Sequence, residues 1–81
     1  MPLYMDVHRV GPVKADDVAE AHAKDVAIQD QYGVNYLNYW VDESEGLIFC
    51  LVDALDPEAA NTVHKQSHGL VADEIHQVRQ G

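Results

Sequence analysis

The chain has 81 residues, 47% of them hydrophobic, and sets 5 basic against 14 acidic side chains for a formal charge of −9 at pH 7. With typical domains near ~150 residues, this length accommodates one core, so residues 1–81 form a single domain and multi-domain enzyme architectures are excluded. The acidic field repels phosphate backbones and anionic lipid and attracts cations, which turns the expectation away from nucleic acid and membranes and towards metal.

A domain this small buries only about 60–65% of the surface its unfolded chain exposes, so support from a metal or a second subunit is expected. The apolar content excludes disorder. The single cysteine, Cys50, excludes an internal disulfide, a four-cysteine zinc site and a C-x-x-C redox pair, whereas 5 histidines supply ligand atoms that a plain acidic domain lacks. Met1-Pro2-Leu3-Tyr4-Met5-Asp6 shows neither a basic region nor an apolar signal core, and no apolar run approaches about 18 residues. A cytoplasmic, soluble protein is the expectation.

Leu3 to His8 alternates Leu3, Met5, Val7 against Tyr4, Asp6, His8, the period of two of a strand with unlike faces, and Gly11-Pro12 ends it. From Ala15 to about Gln31 there is no Pro or Gly, Asp16 and Asp17 suit the first-turn dipole, and Gly33 supplies a stop: a helix. Val34 to Asp42 and Gly46 to Ala54 read as strands joined by the turn Glu43-Ser44-Glu45-Gly46. Asp56-Pro57-Glu58 places an N-cap, an N1 proline and a first-turn acid in sequence, which predicts a second helix from about Pro57 to His68, closed by Gly69. About Val71 to Arg79 makes a fourth strand, with Ile75 and Val78 falling in opposite alternation sets.

The order β-α-β-β-α-β is the α+β, ferredoxin-like arrangement: a four-stranded antiparallel sheet with both helices on one face. Tyr36, Tyr39 and Trp40 share one strand, so the face turned from the helices carries at least one large aromatic. Pairing of sheets in a homodimer, giving a dimeric α+β barrel, would cover it; the alternative is that these aromatics are helix-side core or scattered surface.

On a helical wheel the first helix places His22, Asp25 and Gln29 in a strip between Val18, Ala21, Ile28, Tyr32 on one side and Ala19, Val26 on the other. Such a partly buried polar strip is either coordinated to a ligand or held in a hydrogen-bonded network, because each unpaired group costs about 1–3 kcal/mol. In the second helix Ala59, Ala60, Val63 and Ser67 form a small inward face, with His64 and His68 four apart along its flank, where two imidazoles can reach one ion. Lys65 follows His64, so the Glu of a hydrolytic His-Glu-x-x-His is missing and the pattern signals binding; alternatively His68 sits at the helix C-terminus, where the dipole favours imidazolium.

A third cluster joins Asp6 and His8 on the first strand to Glu74 and His76 on the last, antiparallel neighbours whose same-face side chains approach to about 5 Å. Carboxylate with imidazole suits nickel, zinc or copper; the alternative is an exposed face of ordinary ion pairs. If Asp6 and His8 face the helices, they lie beneath His22, Asp25, His64 and His68 in one site; otherwise there are two. Cys50, inside Ile48-Phe49-Cys50-Leu51-Val52, reads as a small buried hydrophobe rather than a nucleophile. No phosphate loop, Walker motif or nucleophile-elbow serine is present.

Tyr4-Met5-Asp6-Val7-His8, Ala21-His22-Ala23-Lys24-Asp25, Tyr32-Gly33-Val34-Asn35-Tyr36-Leu37, Phe49-Cys50-Leu51-Val52 and Val63-His64-Lys65-Gln66-Ser67-His68-Gly69-Leu70 together resemble a bacterial domain-of-unknown-function family of small nickel-binding, ferredoxin-like proteins. The resemblance covers nearly the whole chain. It implies a ferredoxin-like fold, a homodimer, nickel binding and no established catalysis, with metal candidates at Asp6, His8, His22, Asp25, His64, His68 and, in Asp73-Glu74-Ile75, Glu74. His76 departs from the family pattern, which has an apolar or aromatic residue there.

The leading expectation is a cytoplasmic, non-enzymatic protein that sequesters, buffers or senses a divalent ion, nickel first and zinc or copper as alternatives, with an affinity that falls as pH drops through about 6.5. A second reading is a small dimeric α+β barrel enzyme holding an aromatic or haem-like ligand, with His8, His22 or His64 for acid–base chemistry. A third is a structural or interaction module whose histidines only pair with nearby carboxylates.

Overall fold

The computed structural model describes residues 2–81. Strand β1 (Leu3–Arg9) leads into helix α1 (Ala15–Ile28), which tightens into a 3₁₀ turn over Gln29–Tyr32; β2 (Asn35–Asp42) and β3 (Leu47–Asp53) form a hairpin; α2 (Pro57–Ser67) and β4 (Glu74–Val78) complete the chain. The sheet order is β2-β3-β1-β4 with every neighbouring pair antiparallel. The first two strands of the β-α-β unit are thus split by β3, as the ferredoxin-like expectation requires.

Local chemistry explains the boundaries. The Asp56 side chain accepts the Ala59 N–H at 2.8 Å, and Pro57, which lacks the N–H that a first helical residue cannot use, starts α2. Gly33 ends the turn after α1 at φ 65°, left-handed backbone that favours glycine. Gly46 at φ 70° lets the β2–β3 turn lie directly on Gly11, whose backbone a Cβ there would overlap, and its carbonyl accepts the Val10 N–H at 2.9 Å. β4 is shorter than expected because Val71 and Ala72 cross from α2 to the sheet as loop.

The register fixes which side chains face the helices. A bulge at Leu37 shifts the β2 alternation, so Tyr36 pairs with Val52 and Tyr39 with Cys50, and both tyrosines point to the helix side although they are three apart. Trp40, opposite Phe49, points away and is half exposed. The core on the helix side is built from Tyr4, Tyr36, Cys50, Val52, Ala54, Ala60 and Val63. α1 reaches it through Val18, with Ile28 packed at its margin, whereas Ala19 and Val26 are exposed, so only one flank of the anticipated stripe is buried. Among the described residues no helix is long and apolar enough to cross a membrane.

Candidate metal centre

Alternation along β1 sends Tyr4, Asp6 and His8 to the helix side, and the β1–β3 register places Asp6 directly opposite Cys50. Above them α2 contributes His64, whose neighbours on the helix, Ala60 and Val63, are fully buried. Small residues let the helix settle close enough for the imidazole to reach the sheet. His64 is therefore no flank residue: at 1% exposure it is the largest of the fully buried side chains.

One ring links two groups of donors. Its Nε2 lies 2.9 Å from Asp6 Oδ2, 2.8 Å from the Tyr36 hydroxyl and 3.3 Å from His8 Nε2. Its Nδ1 lies 3.1 Å from both Asp25 oxygens and 3.2 Å from His68 Nε2. The Ser67 hydroxyl, one turn after His64, donates to Asp25 Oδ1 at 2.6 Å. His68 caps α2 and accepts the Leu70 N–H on Nδ1, leaving Nε2 towards Asp25. The Gln29 side-chain Oε1 accepts the Tyr36 N–H, tying the turn after α1 to the strand that carries the tyrosine.

Ligand atoms of Asp6, His8, Cys50 and His64 all lie within 4.8 Å of one another, as do those of Asp25, His64 and His68. Asp6 and His8 face the helices, so they converge with Asp25, His64 and His68 on one site. His22 lines the same cavity of about 30 Å³, with its ring 4.7 Å from that of Tyr39, but belongs to neither close group. Glu74 and His76 lie elsewhere. Cross-strand partners share a face, and Asp6 is opposite Ile75, so Glu74 and His76 go with Val7 and Met5 on the far side of the sheet. There Glu74 pairs with Arg9 and with His76, and the Arg9 guanidinium and the His76 ring hold its carboxyl below the usual range.

The electrostatics of the centre are those of a buried cation between two anions. Burial raises the Asp6 carboxyl, but hydrogen bonding and charge from His64 and His8 overcome it and hold the group at about 2. Asp25 is held well below the usual carboxylate range against the same burial penalty by His64, His68 and Ser67. Burial lowers His64, yet Asp25 and Asp6 push it up to about 9. Burial and the Asp6 charge raise both the Tyr36 phenol and the Cys50 thiol above their ordinary values.

The residues fit a metal ion. Imidazole, carboxylate and thiol are the donor types of borderline divalent ions. Asp6 Oδ1, on a fully buried side chain, has only His8 Nε2 beside it at 3.2 Å and no well-formed hydrogen bond, and His22 Nδ1 is buried without a hydrogen-bond partner; buried polar atoms rarely remain so. The cavity admits a water-sized occupant. Sequence reasoning did not place Cys50, Tyr36 or Ser67 here. For Ser67 the one-turn spacing to His64 was a usable signal; for Cys50 and Tyr36 the β1–β3 register and the Leu37 bulge decide the matter, and neither is written in the alternation alone.

Fold and site together define a ferredoxin-like α+β domain whose core is replaced at its centre by a convergent histidine, carboxylate and thiol cluster. The chain matches the family described as nickel responsive protein, SCO4226-like, over residues 4–78, and it belongs to that family. It is similar to the crystal structure of SCO4226 from Streptomyces coelicolor A3(2), with 35% identity, 98% of each chain covered and a TM-score of 0.90. No curated protein matches the chain.

Proposed function

We propose that this protein binds a divalent transition-metal ion, nickel first with zinc and copper as alternatives, to sequester, buffer or sense it in the cytoplasm, without catalysing a reaction. The observation that carries this reading is the buried cluster itself: Asp6, His8, Asp25, Cys50, His64 and His68 meet around one imidazole in a domain whose small core gains little from burying charge. The family's description as nickel responsive supports nickel over the other ions. An aromatic or haem-like ligand would need about 300 Å³ or more, against about 30 Å³ at the cluster and about 150 Å³ in the adjoining pocket over Val18, Ala21 and Ile48. When bound, the ion would add cationic charge and cross-link sheet to helices; Asp6, His8, His64, Cys50, Asp25 and His68 are the groups available to hold it.

The functional unit is a homodimer joined through the outer sheet face. Leu3, Met5, Trp40, Leu51 and Val78 line a depression of about 380 Å³ there, an apolar surface that a second copy would cover. The charge of −9 opposes nucleic acid and anionic membranes as partners. Titrating nickel into chelator-treated protein near pH ~7.5 is expected to release or absorb heat and to raise the melting temperature; a silent titration with an unchanged melting temperature refutes the reading.

A further inference from the structure

Each donor group uses a different edge of His64: Nε2 faces Asp6 and His8, and Nδ1 faces Asp25 and His68. A neutral imidazole offers a lone pair at one nitrogen and an N–H at the other, so an ion taken at one edge leaves the opposite edge as a donor. The two groups are therefore alternatives for a single ion. Resting on the metal-binding reading above, we propose that the ion occupies the inner group, with Cys50 as a thiolate ligand beside Asp6, His8 and His64, and that Asp25 is a positioning residue that holds the His64 ring through Nδ1.

Three observations select the inner group. It supplies four donors, the number that structural thiolate and imidazole sites use, against three outside. Its Asp6 Oδ1 is a buried oxygen with only the His8 Nε2, itself a member of the group, beside it at 3.2 Å, whereas the Asp25 oxygens are engaged by His64, His68 and the Ser67 hydroxyl. Its ligand charges, one carboxylate and one thiolate, cancel those of a divalent ion among buried side chains; the outer group brings a single carboxylate. Cys50 is held for this role by the ladder, which pairs it with Asp6 on one side and Tyr39 on the other.

Coordination replaces the Cys50 S–H and the His64 Nε2–H by bonds to the ion, and both protons pass to solvent. The Nδ1–H then donates to Asp25, which Ser67 fixes in turn: the carboxylate–histidine–metal relay that orients a ligand ring and raises its basicity. A thiolate donor favours softer ions than the histidine and carboxylate set read from the sequence.

The test uses Ni2+ and Co2+ alone, titrated into the chelator-treated wild type and the Cys50→Ser, Cys50→Ala and Asp25→Asn variants, followed by absorbance and calorimetry, with thermal melts of the metal-free proteins as the folding control. Wild type is expected to develop a thiolate-to-metal charge-transfer band that saturates at one equivalent per chain. Both Cys50 variants should lose the band and about 10-fold or more in affinity, and Asp25→Asn should keep the band while losing about 10–100-fold in affinity. Tight binding in wild type without the band, or Cys50 variants that bind as well as wild type, overturns the assignment and leaves metal binding standing. An Asp25→Asn variant that loses the band, as a displaced ligand would, overturns it as well. No uptake by wild type removes both this inference and the reading it rests on.

Discussion

Towards the helices the sheet presents Asp6, His8 and Cys50 among Tyr4, Tyr36 and Val52; away from them it presents Leu3, Met5, Phe49, Leu51 and Trp40. The closed side of the sheet buries a carboxylate, an imidazole and a thiol within the core, while the open side exposes apolar side chains beside the Arg9, Glu74 and His76 ion pairs. Folding alone rewards the reverse, since charges cost free energy to bury and apolar area gains it. Each face is therefore read against the stability of the isolated chain: the inner one as a site for an ion, the outer one as a surface for another copy. The single ring that keeps the inner face tolerable is His64, whose imidazolium stands between the Asp6 and Asp25 carboxylates.

Removing that ring is the severest way to break the contrast. His64→Ala leaves two buried carboxylates without their shared cation and is expected to cost about 3–5 kcal/mol, measured as the free energy of denaturant unfolding of the metal-free protein. The combined His64→Leu, Asp6→Asn, Asp25→Asn variant should recover most of that loss while binding no metal in the cluster. If it stays as unstable as His64→Ala, the charges are structural and the inner face needs no ion to explain it.

The next effect is one of pH, and its two parts have opposite signs. The metal-free His64 is raised from 6.5 to about 9, so its stabilisation is complete below 6.5 and is lost as pH rises through about 9. Asp6 is lowered from 3.8 to about 2, so its share is present above 3.8 and is lost as pH falls through about 2. The metal-free protein should thus be most stable between 3.8 and 6.5. An ion bound by both His64 and Cys50 must displace two protons, so affinity should climb by about 100-fold per unit between 6.5 and 9 and keep climbing by about 10-fold per unit above 9, where the raised Cys50 thiol still holds its proton, rather than level off near the ordinary histidine value expected from sequence. Melts and nickel titrations across this range test both signs; stability and affinity rising together from pH 6.5 to 9 would contradict the ion-paired ring.

On the outer face the corresponding probe is Trp40, half exposed at the rim of the apolar depression. Trp40→Glu sets a charge against a second copy and is expected to weaken the proposed dimer by about 2 kcal/mol or more, read as the shift in sedimentation mass with concentration. The inner cluster, on the other side of the sheet, should bind nickel as before. A wild type that sediments as a monomer at every concentration removes the second copy from the explanation.

How much of this was legible in the residues follows from the same two faces. Period-two alternation in Leu3 to His8, the Asp56-Pro57 start and the Gly33 stop are local signals, and the elements they define stand where expected. His64 and His68 at helical spacing and Asp25 within a polar strip are likewise local, and the structure brings them together. Parity between strands is not local. Nothing in residues 71–79 states whether Asp6 faces Glu74, Ile75 or His76, and a shift of one residue exchanges every side chain between the faces. The same blindness hid Cys50, whose apolar surroundings in sequence conceal that its cross-strand partner is a carboxylate.

The smallest effect is expected at Glu74 and His76, where the contrast can be sharpened rather than broken. Both lie on the outer face, tied to Arg9 and to each other, with the β1 backbone between them and the cluster. His76→Ala and Glu74→Gln should leave the tightest step of a nickel titration unchanged at physiological salt, because a mobile surface charge beyond about 8 Å is largely screened. At low salt Glu74→Gln should weaken that step slightly, since one unit of the negative field that draws the cation is gone. A His76→Ala variant that loses the tight step would mean that the outer face, and not the cluster under the helices, carries the ion, and the buried donors would then be left with only their mutual ion pairs to account for them.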